Sequence, residues 1–173
     1  PYAKQGIPII GLEPSCLLTL RDEIPALLPG EETQLLADHA RMLEEFIADQ
    51  DDNPEFALPL NSPAPKVLLH GHCHQKAFGA VSDVQKTLAM VPELESELIQ
   101  SSCCGMAGAF GYEAEHYDVS MNMAEMDLLP KIREADDDTL IVADGTSCRH
   151  QIDDGVDREA IHVVRILDRS LRG

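Results

Sequence analysis

The spacing of apolar residues changes several times along the 173-residue chain, and each change marks an element. Residues 6–12 (GIPIIGL) form a short apolar run bounded by glycine, which predicts a buried strand with Pro8 near its start. From 14 to 28 the apolar positions fall at near-helical spacing, and Pro14 and Ser15 suit the opening of a helix. Residues 32–50 predict a second helix, with Leu35, Leu36, Met42, Leu43, Phe46 and Ile47 on one stripe and acids around it. Residues 51–65 contain four prolines and no clear period, so they read as a linker.

Past that linker the pattern alternates. Residues 66–70 (KVLLH) predict a strand, 75–91 a helix, 94–100 a strand and 108–134 mostly helix. Residues 139–143 (TLIVA) predict the next strand, followed by a helix over 146–152, a short strand over 160–164 and a helix over 165–171. This order predicts an α/β fold: a mostly parallel sheet flanked by helices. No period of solenoid length recurs, so a repeat architecture is excluded.

The five cysteines fall on this pattern in a regular way. Cys16 lies four residues past the first predicted strand, Cys73 three past the second, Cys103 and Cys104 three and four past the third, and Cys148 five past the fourth. All therefore stand just beyond the carboxyl ends of strands. In a parallel sheet those ends share one edge, where open α/β folds bind ligands. Residues distant in sequence are expected to meet there.

Composition narrows the chemistry. The formal charge is −18, a surface that repels phosphate backbones and anionic lipid heads, so nucleic acid and bare membrane are poor partners. No apolar run approaches a membrane span, and no signal peptide is visible. The expectation is a soluble, cytoplasmic chain, peripheral to a membrane only through partners. The acidic run 136–138 reads as a solvated loop. Beginning at Pro1, immediately ahead of a strand-like run, the chain reads as a fragment of a longer protein. An odd number of cysteines argues against a disulfide framework and for a reducing compartment, where thiols serve metals or redox chemistry.

Thiolates select iron–sulfur clusters, zinc or cuprous copper over hard ions. His72 and His74 flank Cys73, and glycines follow Cys103 and Cys104 where backbone must approach closely. Cys148 is expected at a helix start, where the dipole and Arg149 favour its anion. His72 and His74 suit outer hydrogen-bond donors to a metal centre. His39, His116 and His162 look like ordinary helix or strand residues, and Met121, Met123 and Met126 like core filler. Neither paired zinc knuckles nor the common ferredoxin spacing is present. Spacing alone leaves a thiolate site for iron–sulfur or zinc, or a dithiol redox centre.

The strings GLEPSCLLTLRDE, HGHCHQKA, SCCGMAGAFGYE and ADGTSCRHQI resemble the CCG cysteine-rich domain over nearly the whole chain. That domain usually occurs as two tandem copies, in the B subunit of heterodisulfide reductase, in iron–sulfur subunits of glycolate oxidase and anaerobic glycerol-3-phosphate dehydrogenase, and in lactate-utilisation proteins. The likeness extends to the carboxyl-terminal region of bacterial proteins that fuse an FAD-linked oxidase domain, a ferredoxin-like domain and this one. The resemblance implies that 1–50 ends a first module, 51–65 links, and 66–173 is a second module. It implies a cluster of the 4Fe-4S type held by Cys73, Cys103, Cys104 and Cys148, with Cys16 matching the last cysteine of the first module. Gly105, Gly108, His72, His74 and Arg149 would surround that cluster. The family's final element is C-x-x-C, and Gly145 stands at its first position here; a five-thiolate cluster would then take its last ligand from Cys16 or a histidine. The implied role is electron relay. FAD bound outside this chain would oxidise a D-2-hydroxy acid such as lactate or glycolate, and electrons would pass through this domain to a quinone or carrier protein.

Overall fold

The computed structural model describes residues 1–50, 53 and 55–171. The first part comprises β1 (Ile9–Gly11), α1 (Pro14–Leu18), α2 (Glu23–Leu27), α3 (Glu31–His39), β2 (Ala40–Met42) and α4 (Leu43–Ala48). The second comprises β3 (Lys66–His70), α5 (Cys73–Ala77), α6 (Val81–Ala89), β4 (Glu95–Leu98), α7 (Tyr117–Arg133), β5 (Leu140–Ala143), α8 (Thr146–Val156), β6 (Ala160–Ile161) and α9 (Val163–Leu171).

Two sheets result. β1 and β2 pair in parallel as a two-stranded sheet, and the other four strands form a parallel sheet in the order β4-β3-β5-β6. The fold is α/β with a parallel sheet flanked by helices, as the alternating pattern predicts. Strand side chains alternate between its two faces. Val67, Leu69, Val142 and Ile161 pack with α6 and α9 residues such as Val84, Leu88, Ile166 and Leu167. Leu68, Ile141 and Ala143 pack with Ala124, Leu128, Leu129 and Ile132 of α7 and with Ile152 of α8. Ser120, Ala124, Leu128 and Ile132 recur every four residues, so α7 lays one continuous stripe on the sheet.

Several expected elements are subdivided. The helix expected over 14–28 is two short helices, α1 and α2. The helix expected over 75–91 breaks at Gly79, whose φ is +73°, into α5 and α6. Over 108–134, a short 3-10 turn at Phe110–Tyr112 precedes α7. The helix expected over 32–50 is interrupted by β2, where Ala40 and Met42 are buried and Arg41 is exposed. There the chain exchanges helical hydrogen bonds for a parallel ladder with β1, because Met42 buries fully against Leu17, Leu18 and Ala40. Met126 is exposed rather than core filler, because it points away from the buried stripe of α7.

Of the expected linker, Asp51, Asp52 and Pro54 lie outside the described residues. Residues 55–65 form no helix or strand, yet Leu60 is buried and Phe56 and Leu58 pack on the core beside it. Ile47 of α4 joins the same core, so the first part is anchored on the larger sheet. Asp136, Asp137 and Asp138 lie in a loop and are all exposed, as a solvated segment requires.

Candidate metal centre

The order β4-β3-β5-β6 contains a reversal. From β3 the chain crosses to β4 on one side, then returns over the opposite face to β5 on the other. The crevice beyond the carboxyl ends of β3 and β5 is therefore the binding position of an open parallel sheet. Cys73 opens α5 directly after β3, and Cys148 sits in the first turn of α8 directly after β5. The loop after β4 brings Cys103 and Cys104 to the same place. Cys73, Cys103, Cys104 and Cys148 line one cavity of about 420 Å³, together with Ser15, His72, His74, Ala107, Gly108 and Ser147.

Burial is uneven. Cys104 and Cys148 are buried, Cys103 is half-buried and Cys73 is exposed. The Cys148 thiol donates to Cys104 Sγ at 3.1 Å. One ring nitrogen of His70 and the Sγ atoms of Cys104 and Cys148 all lie within 4.8 Å of one another. Cys16 is exposed on α1 and is not among the residues lining the cavity, where its neighbour Ser15 faces instead.

The loop carrying the Cys103–Cys104 pair is tightly wound. Gly105, Ala107 and Gly108 all take positive φ, at +94°, +41° and +70°. This turns backbone N–H groups inward, an arrangement that favours anionic sulfur. The Gly105 N–H donates to Cys103 Sγ at 3.3 Å. A side chain at 105 would strike the Ser120 carbonyl oxygen at 2.1 Å, so only glycine lets the loop lie this close to α7. Lys76, one turn after Cys73 on α5, donates from Nζ to the carbonyl oxygens of Ser101 and Ser102 and so closes the loop from outside.

Electrostatics favour the protonated thiol at three of these cysteines. The contact with Cys104, reinforced by burial, pushes the Cys103 thiol far up. At Cys104 the bond from Cys103 acts downward, but the contact with Cys148 and burial outweigh it and carry the thiol up to about 12. Burial and the nearby Cys103 also raise Cys73. Binding a metal here must displace thiol protons, whose loss the metal charge compensates. Burial, with Lys76 and His72 nearby, pushes His70 down to about 3, so its ring is neutral and free to act as a donor ligand. Burial and the adjacent His74 likewise lower His72.

His72 caps α5, its Nδ1 accepting from the His74 N–H at 3.2 Å. His74 has a buried Nδ1 without a hydrogen-bond partner among the described residues. Arg149 does not face the sulfurs. Its guanidinium donates to the carbonyl oxygens of Ala143 and Asp144 at 2.9 and 2.5 Å and to Thr146 Oγ1 at 3.0 Å, bracing the β5–α8 turn.

Several residues outside the sequence expectation take part. Gln75 receives the His72 N–H at 3.1 Å and donates to Glu44 Oε1 at 2.6 Å and Asp144 Oδ2 at 2.8 Å, joining α4, α5 and the end of β5. Asp144 Oδ1 in turn accepts from the Val163 N–H at 2.9 Å. Glu13 Oε2 accepts from the backbone N–H and the hydroxyl of Thr146, capping α8 from the other end of the chain. Burial raises the Glu13 carboxyl, but these bonds outweigh it and hold the group below its ordinary range. His70 stands in the sequence with His72 and His74 as one of three imidazoles around Cys73, and its place as a polar residue closing an apolar strand is the signal that marks it.

The donors fit an iron–sulfur group. Four sulfurs surround one cavity, two of them buried, a backbone amide is turned toward Cys103, and His74 offers an unpartnered nitrogen. Among the described residues no helix is long and apolar enough to cross a membrane.

No family model matches the chain, and no solved structure matches it. It is similar to the C subunit of the anaerobic glycerol-3-phosphate dehydrogenase of Escherichia coli, at 30% identity over 167 residues, 96% of this chain and 41% of that protein. It is also similar to the D-2-hydroxyglutarate dehydrogenases of Pseudomonas putida, at 27% identity over 169 residues, and Haemophilus influenzae, at 26% over 157. These alignments cover 95% and 87% of this chain and 15% of each dehydrogenase. The chain thus spans about two fifths of the glycerol-3-phosphate dehydrogenase relative and a smaller share of the others. Over nearly its whole length it is homologous to part of a dehydrogenase subunit and to part of larger dehydrogenases.

Proposed function

We propose that the chain is an electron-relay domain of a flavin-linked dehydrogenase and holds an iron–sulfur cluster of the 4Fe-4S type at Cys73, Cys103, Cys104 and Cys148. The observation that carries this reading is the spread of the sulfurs. His70, Cys104 and Cys148 form a compact group within the reach of one metal atom, while Cys73 and Cys103 stand further out around the same cavity. One ion would leave those outer thiols idle, whereas a group of several metal atoms engages them all. Such a cluster, when bound, supplies one-electron transfer at a potential set by its charge, hydrogen bonds and burial.

The chain's own residues do the rest. The amides of the 105–108 loop favour anionic sulfur, Lys76 offsets part of its charge, and the core on the α7 face of the sheet excludes water from Cys104 and Cys148. Exposed Cys73 marks the open side, through which electrons enter or leave. The names of the relatives, dehydrogenases of glycerol 3-phosphate and D-2-hydroxyglutarate, support a partner that oxidises such a substrate. In this reading the oxidation takes place on a flavin outside this chain, and the electrons pass to a quinone or carrier protein. Residues 1–50 would end one CCG module and 66–173 form the next.

His70, Cys104 and Cys148 also match the two-cysteine, one-histidine donor set of zinc sites, which favours zinc as the second reading. A dithiol centre, with Cys103 or Cys104 attacking a disulfide, fits less well: Cys104 is 4% exposed, and the contact with Cys104, reinforced by burial, holds the Cys103 thiol protonated. Anaerobic purification followed by iron, zinc and acid-labile sulfide quantitation separates these readings. Iron and sulfide in similar amounts with little zinc are expected. One zinc per chain without sulfide would refute the relay.

A further inference from the structure

His70 is not among the residues lining the cavity, but a nitrogen of its ring stands beside two of the sulfurs that do. It is the last residue of β3 and pairs in register with Ala143, the last residue of β5. Its imidazole therefore stands at the junction where the chain leaves the two central strands. The residue is 1% exposed, and one ring nitrogen lies within 4.8 Å of both Cys104 Sγ and Cys148 Sγ. Nδ1 is 2.9 Å from Ser101 Oγ, and Ser101 belongs to the loop that carries Cys103 and Cys104. An imidazole oriented by an outer hydrogen bond and set between two thiols has the arrangement of a metal ligand. Position 145, two residues past the end of β5, cannot contribute one. A Cβ there would lie 2.4 Å from the His72 ring and 3.3 Å from Cys148 Sγ, so no side chain fits without displacing His72.

We infer that His70 ligates the centre through nitrogen beside Cys104 and Cys148, giving a mixed nitrogen–sulfur donor set; this rests on the iron–sulfur reading above. On binding, Cys104 and Cys148 each release a thiol proton, while the neutral imidazole releases none. With the four thiolates kept, a neutral ring in place of a fifth thiolate makes the site less negative, which raises the reduction potential above that of a five-thiolate site.

The test uses the whole chain labelled with ¹⁵N in histidine only, loaded anaerobically with iron and sulfide, reduced by one electron with dithionite, and read by pulsed electron paramagnetic resonance. A direct ¹⁵N coupling to the paramagnetic centre is expected. In His70→Cys it disappears while iron stays bound through the new thiolate, and the midpoint potential falls. In the His72→Gln/His74→Gln double variant the coupling persists, so the test does not depend on the His70 variant folding. Iron and sulfide bound without ¹⁵N coupling, or a coupling that survives His70→Cys, overturns the His70 assignment and leaves the relay intact. A chain that takes up no iron and sulfide overturns both.

Discussion

Glu44 has no exposed surface, and its Oε2 finds no hydrogen-bond partner among the described residues. Burial, together with the nearby Asp144, pushes this carboxyl up to about 8 from its ordinary 4.5. The neighbouring Glu45 is engaged by Arg21 at 2.7 and 2.8 Å, so its charge is largely answered elsewhere. Between those two pH values the folded chain keeps a proton on Glu44 that the unfolded chain has released. The contribution of Glu44 to stability is therefore full below about 4.5 and declines until the pH passes about 8. Each pH unit within that window costs up to about 1.4 kcal/mol. Glu44→Gln keeps the oxygen that accepts from Gln75 and removes the titration. Denaturant unfolding should show the variant gaining on the parent steadily from acid to mildly alkaline pH. Parallel pH profiles would mean that Glu44 ionises normally.

At the scale of elements, the 103–108 loop is where backbone geometry and site coincide. Gly105 combines a φ of +94° with a backbone oxygen 2.1 Å from any added Cβ. Gly108 has a φ of +70° and open space around it. Gly105→Ala should cost on the order of 2–3 kcal/mol and lower metal retention. Gly108→Ala should cost only about 1 kcal/mol. Equal effects in thermal unfolding would show that the close approach to Ser120 is not what constrains the loop. This loop was partly legible in advance, since two glycines beside a cysteine pair signal close backbone approach. β2 was not. Ala40-Arg41-Met42 lies inside a helical stripe, and its strand geometry comes from pairing with β1, some thirty residues earlier. Local periodicity cannot register a partner that distant. The strands 66–70 and 139–143 were legible because both faces are covered and the apolar run is continuous.

Across the whole molecule, the amino-terminal part serves the site without supplying a cavity-lining sulfur. Glu13 caps α8 across 133 positions, and His162 Nε2 is 2.7 Å from the Leu12 carbonyl oxygen. Such long-range bonds leave no trace in spacing, which is why Glu13, Gln75 and Asp144 went unread while the convergence of cysteines at strand ends could be inferred. Glu13→Ala should loosen the first turn of α8, with a loss of about 1 kcal/mol and faster amide exchange at Thr146. Because the Glu13 carboxyl is held low, its contribution is present above the ordinary carboxyl range and fades as the pH falls below it. An unchanged exchange rate at Thr146 near neutral pH would rule the cap out.

The convergence itself is the claim on which the rest stands, and Cys73 reports on it because it is exposed while Cys104 and Cys148 are buried. Thiol alkylation of the native chain, read by peptide mass spectrometry before and after anaerobic loading with iron and sulfide, tests it most directly. Cys73 should react in the unloaded chain, become protected on loading, and react again in loaded Cys148→Ser. Cys73 remaining reactive after loading, or staying protected when Cys148 is replaced, would contradict a single shared centre.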